Sequence, residues 1–167
     1  MSLVLGIALA VAPAAVESEA RPVYEFDKPV PAGKVSVANP RSIAAALQEA
    51  GYRAKVVFDD GNPYVDSAAN GANFSISLEN CKEHKNCQDA MFRSTYAKKD
   101  EEPVTLETIN KFNADHRWVR AYLDKDGGPV LEQDLLFTEQ LMDKKMFEEA
   151  VTIWEDLMDD FHKAIDF

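Results

Sequence analysis

The C-terminal segment carries the feature that most narrows the possible folds, an amphipathic helix of about five turns. Its apolar residues recur at intervals of three and four, and the acidic residues of the segment lie largely on the remaining surface. Such a helix needs a flat apolar partner, and a β-sheet is the natural one. The apolar stripe consists of Met146, Phe147, Ala150, Val151, Trp154, Leu157, Met158, Phe161 and Ile165.

The segments upstream supply the strands of that sheet. Asn39 and Pro40 predict the start of a helix that Gly51 ends, and Thr105 predicts the start of a second helix. The stretches "YRAKVVFDD", "YVDSA", "NFSISLEN" and "AMFRSTYA" are typical of strands, with "ANGA" as either a turn or a glycine bulge. The order helix, three or four strands, helix, hairpin, helix predicts an α+β fold, because a nucleotide-binding sheet would alternate strands and helices.

The clearest hairpin joins the strands "RWVRAYLD" and "VLEQDLLF" through the turn "KDGG". The leucines of both strands share a face only if the loop has an odd number of residues, with Gly127 or Gly128 at positive φ. Arg120 then lies beside Glu132 or Asp134 on the outer face of the hairpin.

The outer face of this hairpin has two interpretations. It is either a solvated cross-strand charge ladder or a partner surface, because an exposed Trp and Tyr around an Arg resemble a binding hot spot. Glycosidase chemistry by the paired carboxylates is disfavoured, because the neighbouring Arg keeps both acids ionised. The candidate partner surface, which we call the hairpin surface, consists of Trp118, Arg120, Tyr122, Glu132 and Asp134.

The loop "ENCKEHKNC" holds the only two cysteines of the chain. A zinc site needs four ligands, and the spacing C-x5-C fits no metal signature. Catalysis by a Cys–His pair needs an orienting group, whereas His84 stands in a polar loop. A disulfide needs only that two strand ends meet, as they do in a hairpin of "NFSISLEN" and "QDAMFRSTY". The pattern therefore favours a structural disulfide between Cys81 and Cys87.

The N-terminal segment is typical of a secretory signal. An apolar run from Leu3 to Val11 is followed by small residues, and it is too short to span a bilayer. No basic residue precedes it, so either the native start is trimmed or the run is an apolar tail. We predict a signal peptide at residues 1–20, an extended lead-in with three prolines at residues 21–38, and a single domain at residues 39–167. Export would place the domain in the bacterial periplasm or outside the cell.

The charge balance limits the classes of partner. The chain has 29 acidic and 18 basic residues and a net charge of −11, and its basic residues do not cluster. We therefore expect no nucleic-acid partner and, once the signal is removed, no membrane partner. We also expect no cofactor and no metal, because a Gly-rich phosphate loop, a Ser–His–Asp order and a ligand-spaced metal cluster are all missing from the sequence.

With these residues in view, the chain resembles the YbjN family, bacterial proteins described as sensory transduction regulators. The likeness covers roughly residues 39–166, most specifically "TLETINKFNADHRWVRAYLDKDGGPVLEQDLLF" and more weakly "NPRSIAAALQEAGYRAKV" and "MFRSTY". It implies a curved antiparallel sheet flanked by helices, similar to type III secretion chaperones, in the order α-β-β-β(-β)-α-β-β-α. It also implies a homodimer without enzymatic activity. The residues that carry the likeness are Asn110, Phe112, Asn113, Arg117, Trp118, Arg120, Ala121, Tyr122, Leu131, Glu132 and Asp134.

These observations lead to three hypotheses of function. The first is a non-enzymatic exported binding protein, chaperone-like or regulatory, that recognises a peptide or protein through its sheet or helix surface. The second is a hydrolase or thiol oxidoreductase that uses Cys81, Cys87 and His84, although an oxidoreductase normally has C-x-x-C at a helix start. The third is a structural interaction domain whose acidic last helix meets a basic partner.

Overall fold

The computed structural model describes residue 26, residues 28–82 and residues 86–167. The predicted signal peptide and His84 lie outside the described residues. Within the described residues, the helices are α1 (Pro40–Glu49), α2 (Leu106–Asp115) and α3 (Lys144–Ile165), and the strands are β1 (Lys34–Ser36), β2 (Ala54–Asp59), β3 (Asn62–Ala69), β4 (Ala72–Glu79), β5 (Asp89–Thr95), β6 (Arg120–Leu123), β7 (Pro129–Leu136) and β8 (Leu141–Asp143).

Six of these strands form one antiparallel sheet in the order β2-β3-β4-β5-β7-β6. Strands β1 and β8 form a separate antiparallel pair with Lys34 opposite Asp143. This arrangement confirms the predicted α+β class and the antiparallel sheet flanked by helices. The sequence did not predict β1 and β8, because a strand of three residues is too short to show a period of two.

The core lies between one face of the large sheet and the helices. Trp154 of α3 is fully buried, and its indole stacks on Phe92 of β5 with ring centroids 5.3 Å apart. Phe74 of β4 meets the same indole edge-on at 6.1 Å. The apolar stripe predicted for α3 is therefore confirmed, except that Met146 is 62% exposed at the start of the helix.

The other face of the large sheet, which we call the open face, carries the alternate residues of each strand. Most of these residues are half-buried or exposed, whereas the residues that face the helices are buried. No helix among the described residues packs on the open face. The buried side is represented by Val65, Phe74, Ile76, Ala90, Phe92 and Leu131, and the open side by Tyr64, Asp66, Ser75, Ser77, Met91 and Arg93.

Local signals place the elements where the sequence predicts them. The side chain of Asn39 accepts a hydrogen bond from the backbone N–H of Arg41 at 3.1 Å, and the side chain of Thr105 caps α2 in the same way through Thr108. The predicted "ANGA" feature is a two-residue turn, because Asn70 and Gly71 both have positive φ, 50° and 79°. These dihedral angles suit the right-handed twist of the flanking strands.

The loop between β6 and β7 has the predicted odd length. Leu123 lies opposite Pro129, which leaves five residues in the loop, and Gly127 has a φ of 85°. A carboxylate oxygen of Asp124 accepts hydrogen bonds from the backbone N–H groups of Asp126 and Gly128. These bonds hold the pKa of Asp124 below its usual value. The hydrogen bonds to Asp124 therefore hold the loop in one conformation, which fixes the register of the hairpin.

Candidate functional site

Strand β6 is the edge strand of the large sheet and is shorter than its neighbour. It begins at Arg120, because Trp118 has a left-handed backbone with a φ of 68°. The prediction that the strand runs from Arg117 is therefore wrong at its N-terminal end. Since Arg120 lies opposite Glu132, the last four residues of β7 extend beyond the start of β6.

The centre of the hairpin surface is the carboxylate of Glu132. The Nε of Arg120 donates a hydrogen bond to it at 2.7 Å, and the hydroxyl of Tyr122 donates another at 2.9 Å. The Nε of Arg93, on β5, lies 3.6 Å from the same carboxylate. Glu132 is only 3% exposed. The prediction of a solvated charge ladder is therefore wrong for Glu132, whose charge is balanced by its neighbours.

These contacts fix the charge states of two groups around Glu132. The hydrogen bond to Glu132 raises the pKa of Arg120, and burial together with the hydrogen bond to Glu132 raises the pKa of Tyr122. Arg120 therefore stays cationic and Tyr122 stays a neutral hydrogen-bond donor across the physiological range. The guanidinium of Arg120 is held in one orientation although much of the residue is exposed.

Glu132 and the three side chains that contact its carboxylate, Arg120, Tyr122 and Arg93, form what we call the Glu132 cluster. This cluster is one end of a row that crosses all six strands on the open face. Neighbouring members of the row lie directly opposite each other in the strand pairing, and most carry a charge. At the far end, the Nζ of Lys55 lies 3.5 Å from the carboxylate of Asp66. The row therefore brings three cations to one face of a strongly acidic chain. Its members are Lys55, Asp66, Ser75, Arg93, Glu132 and Arg120.

The remaining residues of the hairpin surface are exposed. Trp118 is 71% exposed, with the guanidinium of Arg117 5.7 Å from the centre of its ring. The carboxylate of Asp134 lies 3.7 Å from Arg120. The structure thus brings the five predicted residues of the hairpin surface together, although they differ widely in exposure. Arg93 was not included in the prediction, because its contact with Glu132 depends on the pairing of β5 with β7.

A groove of about 650 Å³ lies where β7 extends beyond β6, and Trp118, Arg120, Glu132 and Asp134 of the hairpin surface form part of its lining. Its wall includes residues from both faces of the sheet and Ile153 of α3. Leu136 is 78% exposed at its end. The Oε1 of Gln133 is buried and has no hydrogen-bond partner among the described residues. The groove could not be predicted from the sequence, because its existence depends on where β6 begins.

The two cysteines lie at the far end of the β4–β5 hairpin and form a disulfide. Cys87 is buried, and its carbonyl oxygen accepts a hydrogen bond from Nε2 of Gln140 at 2.9 Å. In this state neither sulfur is a thiol that could act as a nucleophile. The described part of the chain contains no group of three or more His, Cys, Asp or Glu residues that could hold a metal ion.

The sequence model of one family, described as "Putative bacterial sensory transduction regulator", matches residues 39–167. The chain belongs to the YbjN family. No curated protein and no solved structure matches the chain. Within the described residues, no helix is both long enough and apolar enough to cross a membrane.

Several residues that carry the YbjN resemblance have a visible role in this structure. Asn113 of α2 accepts a hydrogen bond from the backbone N–H of Ala121 at 2.8 Å and donates one to its carbonyl oxygen at 2.9 Å. Phe112 is buried and stacks on His116 with ring centroids 4.1 Å apart. The family segment therefore closes the outer edge of β6 and positions the Glu132 cluster at the same time.

Proposed function

We propose that this YbjN protein is an exported, non-enzymatic binding protein that holds a peptide or another protein on the open face of its sheet. In this proposal, binding centres on the hairpin surface and serves a regulatory or chaperone-like role. The observation that carries the proposal is the orientation of Arg120 by the buried Glu132, next to the exposed Trp118. Trp, Tyr and Arg are the residues most enriched in binding hot spots.

Preorganisation is the physical argument for binding. A free arginine side chain loses rotamer freedom when it binds, whereas Arg120 is already held by Glu132. Its partner therefore meets a fixed cation between two aromatic side chains, Trp118 and Tyr122. A surface that needs little ordering retains more of its interaction energy as affinity.

Export is supported by the disulfide between Cys81 and Cys87. Disulfides persist in oxidising compartments such as the bacterial periplasm and are rare in the cytosol. The apolar run at Leu3 to Val11 is a second, independent argument from the sequence. We include export in the proposal for these two reasons.

A regulator fits the family description better than the alternative of a hydrolase or thiol oxidoreductase. A hydrolase of this kind requires a free thiolate at Cys81 or Cys87, and both sulfurs are in the disulfide. A thiol oxidoreductase normally has C-x-x-C at a helix start, whereas these two cysteines are six residues apart in the loop between β4 and β5. The hydrolase also requires an orienting partner for His84, which lies outside the described residues. The open face offers the more complete arrangement for recognition.

Site-specific photocrosslinking tests the proposal in cells that express the full chain. A photoreactive residue replaces Met91 or Asp134 on the open face, or Lys111 on α2 as a matched control. We expect a discrete protein adduct from the two open-face positions and none from position 111. Adducts of equal yield at all three positions, or none at positions 91 and 134, would contradict the proposal.

A homodimer is part of the same proposal, because the resemblance to YbjN proteins implies one. Light scattering over a wide concentration range measures the mass of the particle directly. We expect twice the mass of a single chain, which is 18.6 kDa for the full sequence and correspondingly less for a chain from which the signal peptide has been removed. A single-chain mass throughout the range would remove the dimer from the proposal without affecting the binding surface.

A further inference from the structure

We propose that the groove at the open end of β7 binds an extended peptide, which pairs with the backbone of Asp134 and Leu136 as an additional strand. This inference rests on the proposed function and names the kind of partner and its mode of binding. The groove is the region of about 650 Å³ beside the segment Gln133–Leu136. Its apolar walls would receive alternate side chains of the peptide.

The first step of the argument is the direction of the backbone groups. In the β6–β7 ladder, the backbone N–H of Asp124 donates to the carbonyl oxygen of Gly128 at 2.8 Å. Hydrogen-bonded pairs alternate along an antiparallel ladder, so Arg120 and Glu132, two pairs further on, form another such pair. Continuing the alternation along β7 directs the backbone groups of Asp134 and Leu136 toward the side that β6 no longer occupies.

The second step is the contrast between two neighbouring edges. The outward-facing backbone N–H and carbonyl groups of Ala121 on β6 are hydrogen-bonded to the side-chain amide of Asn113. No described strand pairs with Gln133–Leu136 on the β6 side. Native proteins usually protect such edges, because an exposed edge is a template for another strand. The outer edge of β6 is therefore capped, whereas the adjoining segment Gln133–Leu136 of β7 is free to pair with a further strand, as a peptide-binding edge requires.

The third step is the lining of the groove. Trp118, Leu136 and Ile153 are 71%, 78% and 40% exposed, which is unusual for large apolar side chains that lie so close together. The volume lies within the range of ligand pockets, about 300–1,000 Å³. An extended peptide would cover these side chains, since successive side chains of a strand point to opposite faces.

The fourth step is an unpaired polar atom. Gln133 is 6% exposed and lines the groove, and its Oε1 has no hydrogen-bond partner within the described part of the chain. A buried carbonyl oxygen without a donor is destabilising, because it has lost its hydrogen bonds to water. A backbone or side-chain N–H of a bound peptide would supply the donor.

The charge of the chain and of the groove indicates which kind of ligand the groove would bind. The groove is lined by two carboxylates, Glu132 and Asp134, and by one guanidinium, Arg120, which pairs with both. Because one negative charge remains there and the chain has a net charge of −11, a neutral or basic peptide is favoured over an acidic one. A second copy in this groove would bring like net charges together, so the proposed homodimer would have to form through another surface. We therefore assign the groove to a neutral or basic extended peptide with alternating apolar side chains.

The test uses the full chain and a labelled peptide of alternating valine and threonine that ends in two lysines. Fluorescence anisotropy gives its affinity, and the matched probe has the same sequence with N-methyl groups on alternate residues. N-methylation removes the backbone donors of one edge, so we expect affinity to fall at least about tenfold. Equal affinity for both probes, or no binding of the first, would overturn the proposal.

Variants locate the binding to the groove. We expect Leu136→Arg and Gln133→Leu each to weaken binding of the unmethylated peptide, the former by at least about tenfold. Leu106→Arg on α2 is the control, because Leu106 is 73% exposed and is not part of the groove. Equal affinity of Leu136→Arg and Leu106→Arg would contradict the groove assignment. If photocrosslinks at positions 91 and 134 persisted in that case, the proposed function would still stand.

Hydrogen exchange distinguishes the peptide from other occupants. We expect the amides of Asp134 and Leu136 to become protected only when the peptide is added. Protection before addition, with a single-chain mass, would mean that another segment of the chain occupies the groove. A dimer that dissociates in Leu136→Arg would assign the groove to a second copy. Either result would overturn the peptide proposal.

Discussion

Arg120 and Glu132 lie directly opposite each other in the β6–β7 pairing, and the Nε of Arg120 donates a hydrogen bond to Glu132 at 2.7 Å. The arginine is exposed whereas the glutamate is 3% exposed. The pair therefore connects the interior of the sheet to its open face. We therefore expect substitution of the buried Glu132 to alter the free energy of unfolding, and substitution of the exposed Arg120 to alter the affinity for the partner.

Glu132→Gln tests the buried side of this pair. The substitution keeps the shape of the side chain but removes the charge that Arg120 and Arg93 balance. We expect the free energy of unfolding to fall by about 2 kcal/mol. Urea denaturation at neutral pH measures it, with Glu149→Gln at an exposed position of α3 as the control. Equal losses in the two variants would show that the buried carboxylate has no special role.

Asn113→Ala tests the closure of the edge of β6. The substitution removes two hydrogen bonds to the backbone of Ala121 and leaves those groups to water or to another strand. We expect a loss of about 1–2 kcal/mol in the free energy of unfolding and association that increases with concentration. Denaturation and light scattering measure the two effects. Asn110→Ala, an exposed position on the same helix, should produce neither effect.

His162 predicts how stability depends on pH. It is buried, its Nε2 lies 2.9 Å from the hydroxyl of Tyr96, and burial lowers its pKa while the charge of Asp159 opposes that shift. As the pH falls through about 6.5, the unfolded chain binds a proton that the folded chain does not. The contribution of His162 to stability is therefore present above that pH and is lost below it.

The variant His162→Gln isolates this contribution. We expect the difference in the free energy of unfolding between the native chain and the variant to narrow as the pH falls from about 7.5 to about 5. Urea denaturation at each pH measures the difference, and acidic residues common to both chains cancel. A difference that stayed constant or widened would contradict the prediction.

Reduction of the disulfide should lower the free energy of unfolding only modestly. Cys81 and Cys87 are six residues apart, so their bond closes a short loop. In the chain-entropy account, such a loop contributes about 2 kcal/mol to stability. We expect the double variant Cys81→Ala/Cys87→Ala to lose about that amount and to become insensitive to reducing agent. Loss of the folded state would show that the disulfide does more than close the loop.

The sequence was sufficient for features that depend on neighbouring residues. The helix starts at Asn39 and Thr105, the odd length of the hairpin loop and the positive φ at one of its two glycines were predicted correctly. The parity of that loop placed Arg120 beside either Glu132 or Asp134, and the structure places it opposite Glu132. Each of these depends on capping or turn chemistry that a short segment specifies by itself.

The features that the sequence did not predict depend on distant pairing. The burial of Glu132 requires Arg93, which β5 places opposite it although it lies far away in the sequence. The alternation around Trp118 is typical of a strand, but because Trp118 has a left-handed backbone, β6 begins at Arg120, three residues later than predicted. The groove beside Gln133–Leu136 follows from that late start, so no local pattern could reveal it.

The left-handed backbone of Trp118 implies a compromise between the stability of the fold and ligand binding. A left-handed conformation costs a residue with a side chain about 1 kcal/mol or more, whereas glycine adopts it freely. Trp118→Gly should therefore raise the melting temperature while removing the largest exposed ring of the hairpin surface. A variant that is more stable than the native chain but no longer binds its ligand would show that the left-handed backbone at position 118 serves recognition and lowers the stability of the fold.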